Sequence, residues 1–199
     1  MFGLKKQNCH HTQNKMKCKW LTNHTSIDST GRVRPCCTWR NTGDEPLVTD
    51  NLDDYRNSDF VKNIQKQLEN NIWPKGCEDC RLDEDYGNPS MRTKSFADYK
   101  ILYENSKDYM VNPGRDAEVK FGNLCNLKCA MCSPYNSSLI AKEYDEMLSN
   151  GIDHELIKRK TPNVNAWYED EKILSSVAKQ MNDMALIRFS GGEPTVNSY

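Results

Sequence analysis

Apolar residues recur along this chain at two spacings, and each spacing marks a different kind of element. Phe60, Ile64 and Leu68 stand four residues apart behind Ser58, whose hydroxyl is able to cap a helix, so a helix is predicted over 58–70, ended by Trp73 and Pro74. Leu139, Ile140, Tyr144, Met147 and Leu148 form a second stripe over 137–150, stopped by Gly151. Ile173, Leu174, Val177 and Met181 form a third over 167–182. A further helix is predicted over 96–103, before a break at Asn112, Pro113 and Gly114. Strand-like runs occupy 118–121 and 184–189. The runs 25–27 and 32–34 flank Asp28–Gly31 as a hairpin closed by a glycine turn.

The later elements fall in the order strand, cysteine-rich loop, helix, helix, strand, glycine loop. That order opens a parallel α/β array, in which helices cross between successive strands and ligands gather at the strands' carboxyl ends. Three parts are expected: a small cysteine-rich α+β module over 1–90, a connecting segment over 91–115, and the α/β array from 116 to 199. The polar stretch 151–165 reads as an insertion.

Composition narrows the classes. Charged residues make up 28% of the chain and hydrophobic ones 37%, so the core is expected to be modest. No apolar run approaches the ~18 residues of a membrane span, and the charged N-terminus has no apolar stretch after it, as a secretory signal would. Nine cysteines without an export signal indicate a reducing, cytoplasmic setting and metal ligation rather than disulfides. The first forty residues carry a net charge of +7 and the remainder −8. A basic arm is able to hold nucleic acid, but aromatics to stack on bases are sparse there, chiefly Trp20 and Trp39, so a solvated face is the preferred reading.

The chemistry concentrates in Cys125-Asn-Leu-Lys-Cys129-Ala-Met-Cys132, three thiols in a CxxxCxxC pattern with no histidine beside them. Structural zinc takes a closed tetrahedral shell. A [4Fe–4S] cubane held by three thiolates instead leaves one iron open to another ligand. This segment resembles the radical S-adenosylmethionine (SAM) superfamily, and Phe189-Ser190-Gly191-Gly192-Glu193-Pro194 resembles that family's GGEP motif. The resemblance implies a partial (β/α) barrel, a [4Fe–4S] cluster on Cys125, Cys129 and Cys132, and SAM on the open iron. It implies reductive cleavage of SAM to a 5′-deoxyadenosyl radical, fed by an electron donor such as a flavodoxin or ferredoxin. Gly191, Gly192, Glu193 and Pro194 are then expected at SAM's methionyl end. Met131 stands where the family often has an aromatic residue beside adenine.

The N-terminal cysteines Cys18, Cys36, Cys37, Cys77 and Cys80 resemble the auxiliary-cluster modules called twitch or SPASM domains, although those usually follow the barrel. Four of the five thiolates would close a second [4Fe–4S] cluster, with Cys36 and Cys37 undistinguished. A Cys₄ zinc site fits the same residues. Cys9 is expected to be a bystander, and His10, His11 and His24 are expected at the surface. The expected function is a radical SAM oxidoreductase or maturase acting on a peptide or protein side chain. The alternatives are an RNA-modifying radical SAM enzyme and a non-catalytic zinc-binding module. Only the first two barrel strands are expected here, so the chain reads as truncated or as half of a split enzyme, weakly active until a second chain completes it.

Overall fold

The computed structural model describes residues 15–49, 51–94, 115–152, 166–182, 184–193 and 195–196. In chain order these form α1 (Lys19–Asn23), β1 (His24–Ile27), β2 (Val33–Arg34), α2 (Leu52–Arg56), α3 (Asp59–Glu69), α4 (Glu78–Asp85), β3 (Arg115–Val119), α5 (Ser138–Ser149), α6 (Glu171–Met181) and β4 (Met184–Phe189). Single 3₁₀ turns lead into α4 and α6 at Lys75–Cys77 and Trp167–Glu169. The helix predicted over 96–103 lies outside the described residues.

Among the described residues the architecture is α/β around one open four-stranded mixed sheet in the order β2-β1-β3-β4. The predicted hairpin is the antiparallel β1–β2 pair, with Gly31 at φ +78° in its turn. β1 then pairs in parallel with β3, and β3 in parallel with β4. The expected two-strand array is therefore corrected to three parallel strands, because a strand from the cysteine-rich N-terminal region supplies the third. Residues from both sides of the expected module boundary share this sheet and one apolar cluster that includes Ile27, Val33, Leu68, Val119, Trp167 and Val177.

Local sequence explains most element ends. Ser58, Ser137 and Asp170 each accept a backbone N–H of the first helical turn, capping α3, α5 and α6. α3 is capped at its carboxyl end by Asn70, short of Trp73, because Asn71 turns left-handed at φ +58°. Its fully buried face is Val61, Ile64 and Leu68, with Phe60 at the margin. α5 buries Ile140 and Ala141, while Met147 and Leu148 of the predicted stripe stay exposed. β3 begins and ends earlier than the predicted 118–121, since its polar residues Asp116 and Glu118 find partners on neighbouring strands. Among the described residues no helix is long and apolar enough to cross a membrane.

Candidate functional site

β3 delivers the chain into the cysteine loop, and the start of α5 holds that loop from beneath. Ser137, fully buried, donates its hydroxyl to the Leu127 carbonyl at 3.1 Å while capping α5. The Cys125 N–H donates to Ser138 Oγ at 3.3 Å, and the Ser138 N–H to the Asn123 carbonyl at 2.7 Å. Within the loop the Cys132 N–H donates to the Cys129 carbonyl at 2.9 Å, and the Leu127 N–H faces Cys125 Sγ at 3.4 Å. Cys125 and Cys132 are half-buried and Cys129 is exposed. All three are free thiols on one short, backbone-braced loop open to solvent.

The glycine loop leaves β4 and lies directly on the cysteine loop. The Gly192 N–H donates to the Asn136 carbonyl at 2.9 Å, and the Glu193 N–H to the Leu124 carbonyl at 2.8 Å. Gly191 and Gly192 sit at φ +74° and +58°, a region L side chains rarely enter. Two motifs 59 residues apart in sequence are thus joined at the carboxyl ends of adjacent parallel strands. The Glu193 carboxylate accepts from the Thr195 N–H and hydroxyl at 3.2 and 2.9 Å, inside its own turn. Met131 is 96% exposed and covers nothing. Pro194 lies outside the described residues.

Four of the five N-terminal thiols border a common cavity. Cys18, Cys36, Cys77 and Cys80 line one cavity of about 20 Å³, together with Trp20 and Arg92. Cys37 does not line it. It is exposed, with Glu118, Arg34 and Arg188 as the charges around it. Burial first, and the neighbouring thiols second, work against thiolates here: the Cys36 pKa is pushed up to about 12, and those of Cys18 and Cys77 are raised. A bound cation would reverse that balance, since metal ligation deprotonates thiols outright.

The pocket wall is set by a chain of contacts that starts at Glu45. Its buried carboxylate accepts the Trp39 indole N–H at 2.8 Å and the N–H groups of Thr42 and Gly43 at 2.5 and 3.1 Å. Trp39 then lies against Gly76, next to Cys77, so closely that a β-carbon there would fall 2.1 Å from the ring.

As a test of fit, four sulfurs around one zinc at about 2.3 Å would stand only about 3.8 Å apart. Among the described residues no three His, Cys, Asp or Glu side chains are gathered closely enough to hold a metal ion as they stand. A cubane spreads its thiolates over four separate irons and asks for a wider ring of thiols, so the cavity of about 20 Å³ would have to open to take one.

His24 is a correction. It was expected at the surface but is 2% exposed. Its Nδ1 is hydrogen-bonded to the Asp116 carboxylate, its ring meets Trp20 edge-on with centroids 4.6 Å apart, and its Nε2 has no partner. Cys9, His10 and His11 lie outside the described residues. Sequence reasoning also passed over Ser26, Asp116, Glu118 and Ser190, which tie the three parallel strands together across one face. The signal was present as polar residues at every second position, from Asp116 to Glu118 to Lys120.

No protein-family model, no curated protein and no solved structure matches this chain.

Proposed function

We propose that this chain is a radical SAM enzyme, or the part of one that carries its cluster site, with Cys125, Cys129 and Cys132 as ligands of a [4Fe–4S] cluster. The observation that carries the reading is the hydrogen bonding of the glycine loop onto the cysteine loop through Gly192 and Glu193. Random co-occurrence of two motifs would not require them to touch. With cluster and SAM bound, the pair supplies reductive cleavage of the sulfonium to a 5′-deoxyadenosyl radical. The protein's own work is to hold three thiolates on a braced loop and to bring glycine backbone, free of side chains, within reach of the methionyl end.

Cys18, Cys36, Cys77 and Cys80 are the proposed ligands of an auxiliary [4Fe–4S] cluster, supported by the one pocket they line. The substrate class is a peptide or protein side chain, with a flavodoxin or ferredoxin as electron donor. The fold is the opening of a partial barrel. Among the described residues β4 pairs only with β3, and Phe189 at its end is 53% exposed, which supports a second chain adding strands there.

The test is anaerobic reconstitution of the 199-residue chain with iron and sulfide. The expected result is a brown protein with about eight irons, falling by about four in the Cys125→Ala, Cys129→Ala, Cys132→Ala triple variant. The cubane's electron paramagnetic resonance signal should shift on adding SAM. Colourless protein with stoichiometric zinc would establish the metal-binding module in its place. Salt-sensitive tRNA binding that is lost when Lys15, Lys17 and Lys19 are neutralised would favour RNA as substrate.

A further inference from the structure

β3 carries two carboxylates on one face: Asp116 bridges to both neighbouring strands, and Glu118 to β1 and to the residue that follows β4. Asp116 binds His24 of β1 and stands 3.5 Å from Arg188 Nη1 of β4. Glu118, one rung nearer the carboxyl ends, accepts the Ser26 hydroxyl from β1 at 3.4 Å and the Ser190 hydroxyl at 2.5 Å. Lys120 Nζ lies 3.9 Å from the same oxygen that Ser190 bonds. The Glu118 side chain is only 14% exposed, so its short hydrogen bond to Ser190 is charge-assisted and shielded from water.

The place of Ser190 gives that bond its consequence. The residue follows β4 and is joined by one peptide bond to Gly191. Its N–H already donates to the Val119 carbonyl at 3.1 Å, so the Glu118 contact fixes a second point on the same residue. The next fixed points are the Gly192 and Glu193 N–H groups on the cysteine loop. Gly191 lies between these points and Gly192 is one of them, and glycine has the most conformational freedom to lose. Without a rigid start at Ser190, the loop would hold its left-handed geometry less often.

We propose that Glu118 is a positioning residue for the glycine loop, which through Ser190 fixes where Gly191 and Gly192 present their backbone to the methionyl end of SAM. The proposal rests on the radical SAM reading of the two motifs. A carboxylate that merely stabilised the sheet would affect all three strands alike. One that positions the loop acts on Gly192 and Glu193 while leaving the strand amides unchanged.

The experiment uses Ser190→Ala, Glu118→Ala and Glu118→Gln in the full chain. Amide hydrogen exchange is followed before cofactor loading, and equilibrium SAM binding after anaerobic reconstitution. In both alanine variants, exchange at the Gly192 and Glu193 amides should quicken about tenfold and SAM should bind about tenfold more weakly, the loss expected for one charge-assisted hydrogen bond. Exchange at Ile27 and Val119, and iron content, should hold at wild-type values. Glu118→Gln keeps an acceptor oxygen for Ser190 and should recover most of both. Unchanged exchange in both alanine variants overturns the proposal, as does an equal quickening at Ile27 and Val119. Faster loop exchange with SAM affinity unaltered overturns the cofactor role. Wild-type protein that holds iron yet binds no SAM overturns the radical SAM reading instead, and the exchange data then still decide whether Glu118 holds the loop.

Discussion

Gly192 meets Leu124 through backbone alone: a β-carbon on Gly192 would lie 2.5 Å from the Leu124 carbonyl oxygen. That oxygen also accepts the Glu193 N–H at 2.8 Å, so any retreat of the loop breaks the bond that holds it. Gly191 differs, since a β-carbon there would meet only the Lys120 side chain at 3.2 Å, which is able to yield. Both positions have positive φ, so alanine at either should cost about 1–2 kcal/mol. Gly192→Ala should cost more, because backbone has to move. Urea unfolding of the two variants decides it, and equal losses would remove the steric argument.

Cys36 and Cys37 are adjacent yet face different surroundings, one lining the four-thiol pocket and the other lying outside it. In a background with Cys125, Cys129 and Cys132 replaced by alanine, Cys36→Ser should abolish the remaining metal. Cys37→Ser should leave it intact. Iron, sulfide and zinc stoichiometry after anaerobic purification reads the difference directly. Similar losses from both would mean that the ligand set is misassigned.

The Trp39 ring occupies the space a side chain at Gly76 would need, with 2.1 Å between its nearest atom and a β-carbon there. Gly76→Ala should therefore destabilise the fold by about 1–3 kcal/mol through overpacking and shift Cys77 enough to weaken metal retention. Adding Trp39→Leu should restore part of the metal content, because the smaller side chain vacates the site. A double-mutant cycle on the thermal midpoint measures the coupling. Strict additivity would show that the contact does not constrain Cys77.

α3, α5 and most of α6 were legible because burial imposes a period on their own residues, with Ser58 and Ser137 at the starts of the first two, whereas α1, α2 and α4 are too short to show that period and were not predicted. β4 was legible at both ends. The other hidden features depended on residues far along the chain. The pairing of β1 with β3 leaves no local trace, and the His24–Asp116 contact that goes with it spans 92 residues. His24 therefore looked like an isolated surface ring, although its burial is set by a carboxylate on another strand. Cys36 and Cys37 are identical residues side by side, and only the tertiary fold distinguishes the pocket from the solvent side. The motif residues were visible in sequence as types and spacings. That Gly192 and Glu193 bond to the cysteine loop was not, because it needs β3 and β4 in register.

Glu45 makes the fold sensitive to acid. Its side chain is sealed in, with the residue only 4% exposed. Burial by itself would favour the protonated form, but the Thr42 N–H, the Trp39 indole N–H and further donors outweigh it and hold the pKa at about 2, against an ordinary 4.5. A carboxyl whose folded pKa is depressed contributes stability above its unfolded pKa and loses that contribution as pH falls through the folded value. The contribution should be complete above about pH 4.5, be worth about 3 kcal/mol, and vanish towards pH 2. Glu45→Gln replaces a charged acceptor with an amide whose NH₂ would face donors. Wild type should therefore exceed this variant most at pH 7, and the gap should close steadily between pH 4.5 and 2. Urea midpoints for both proteins across that range supply the measurement, and a gap that stays constant with pH would show that Glu45 is not the ionised anchor of Trp39.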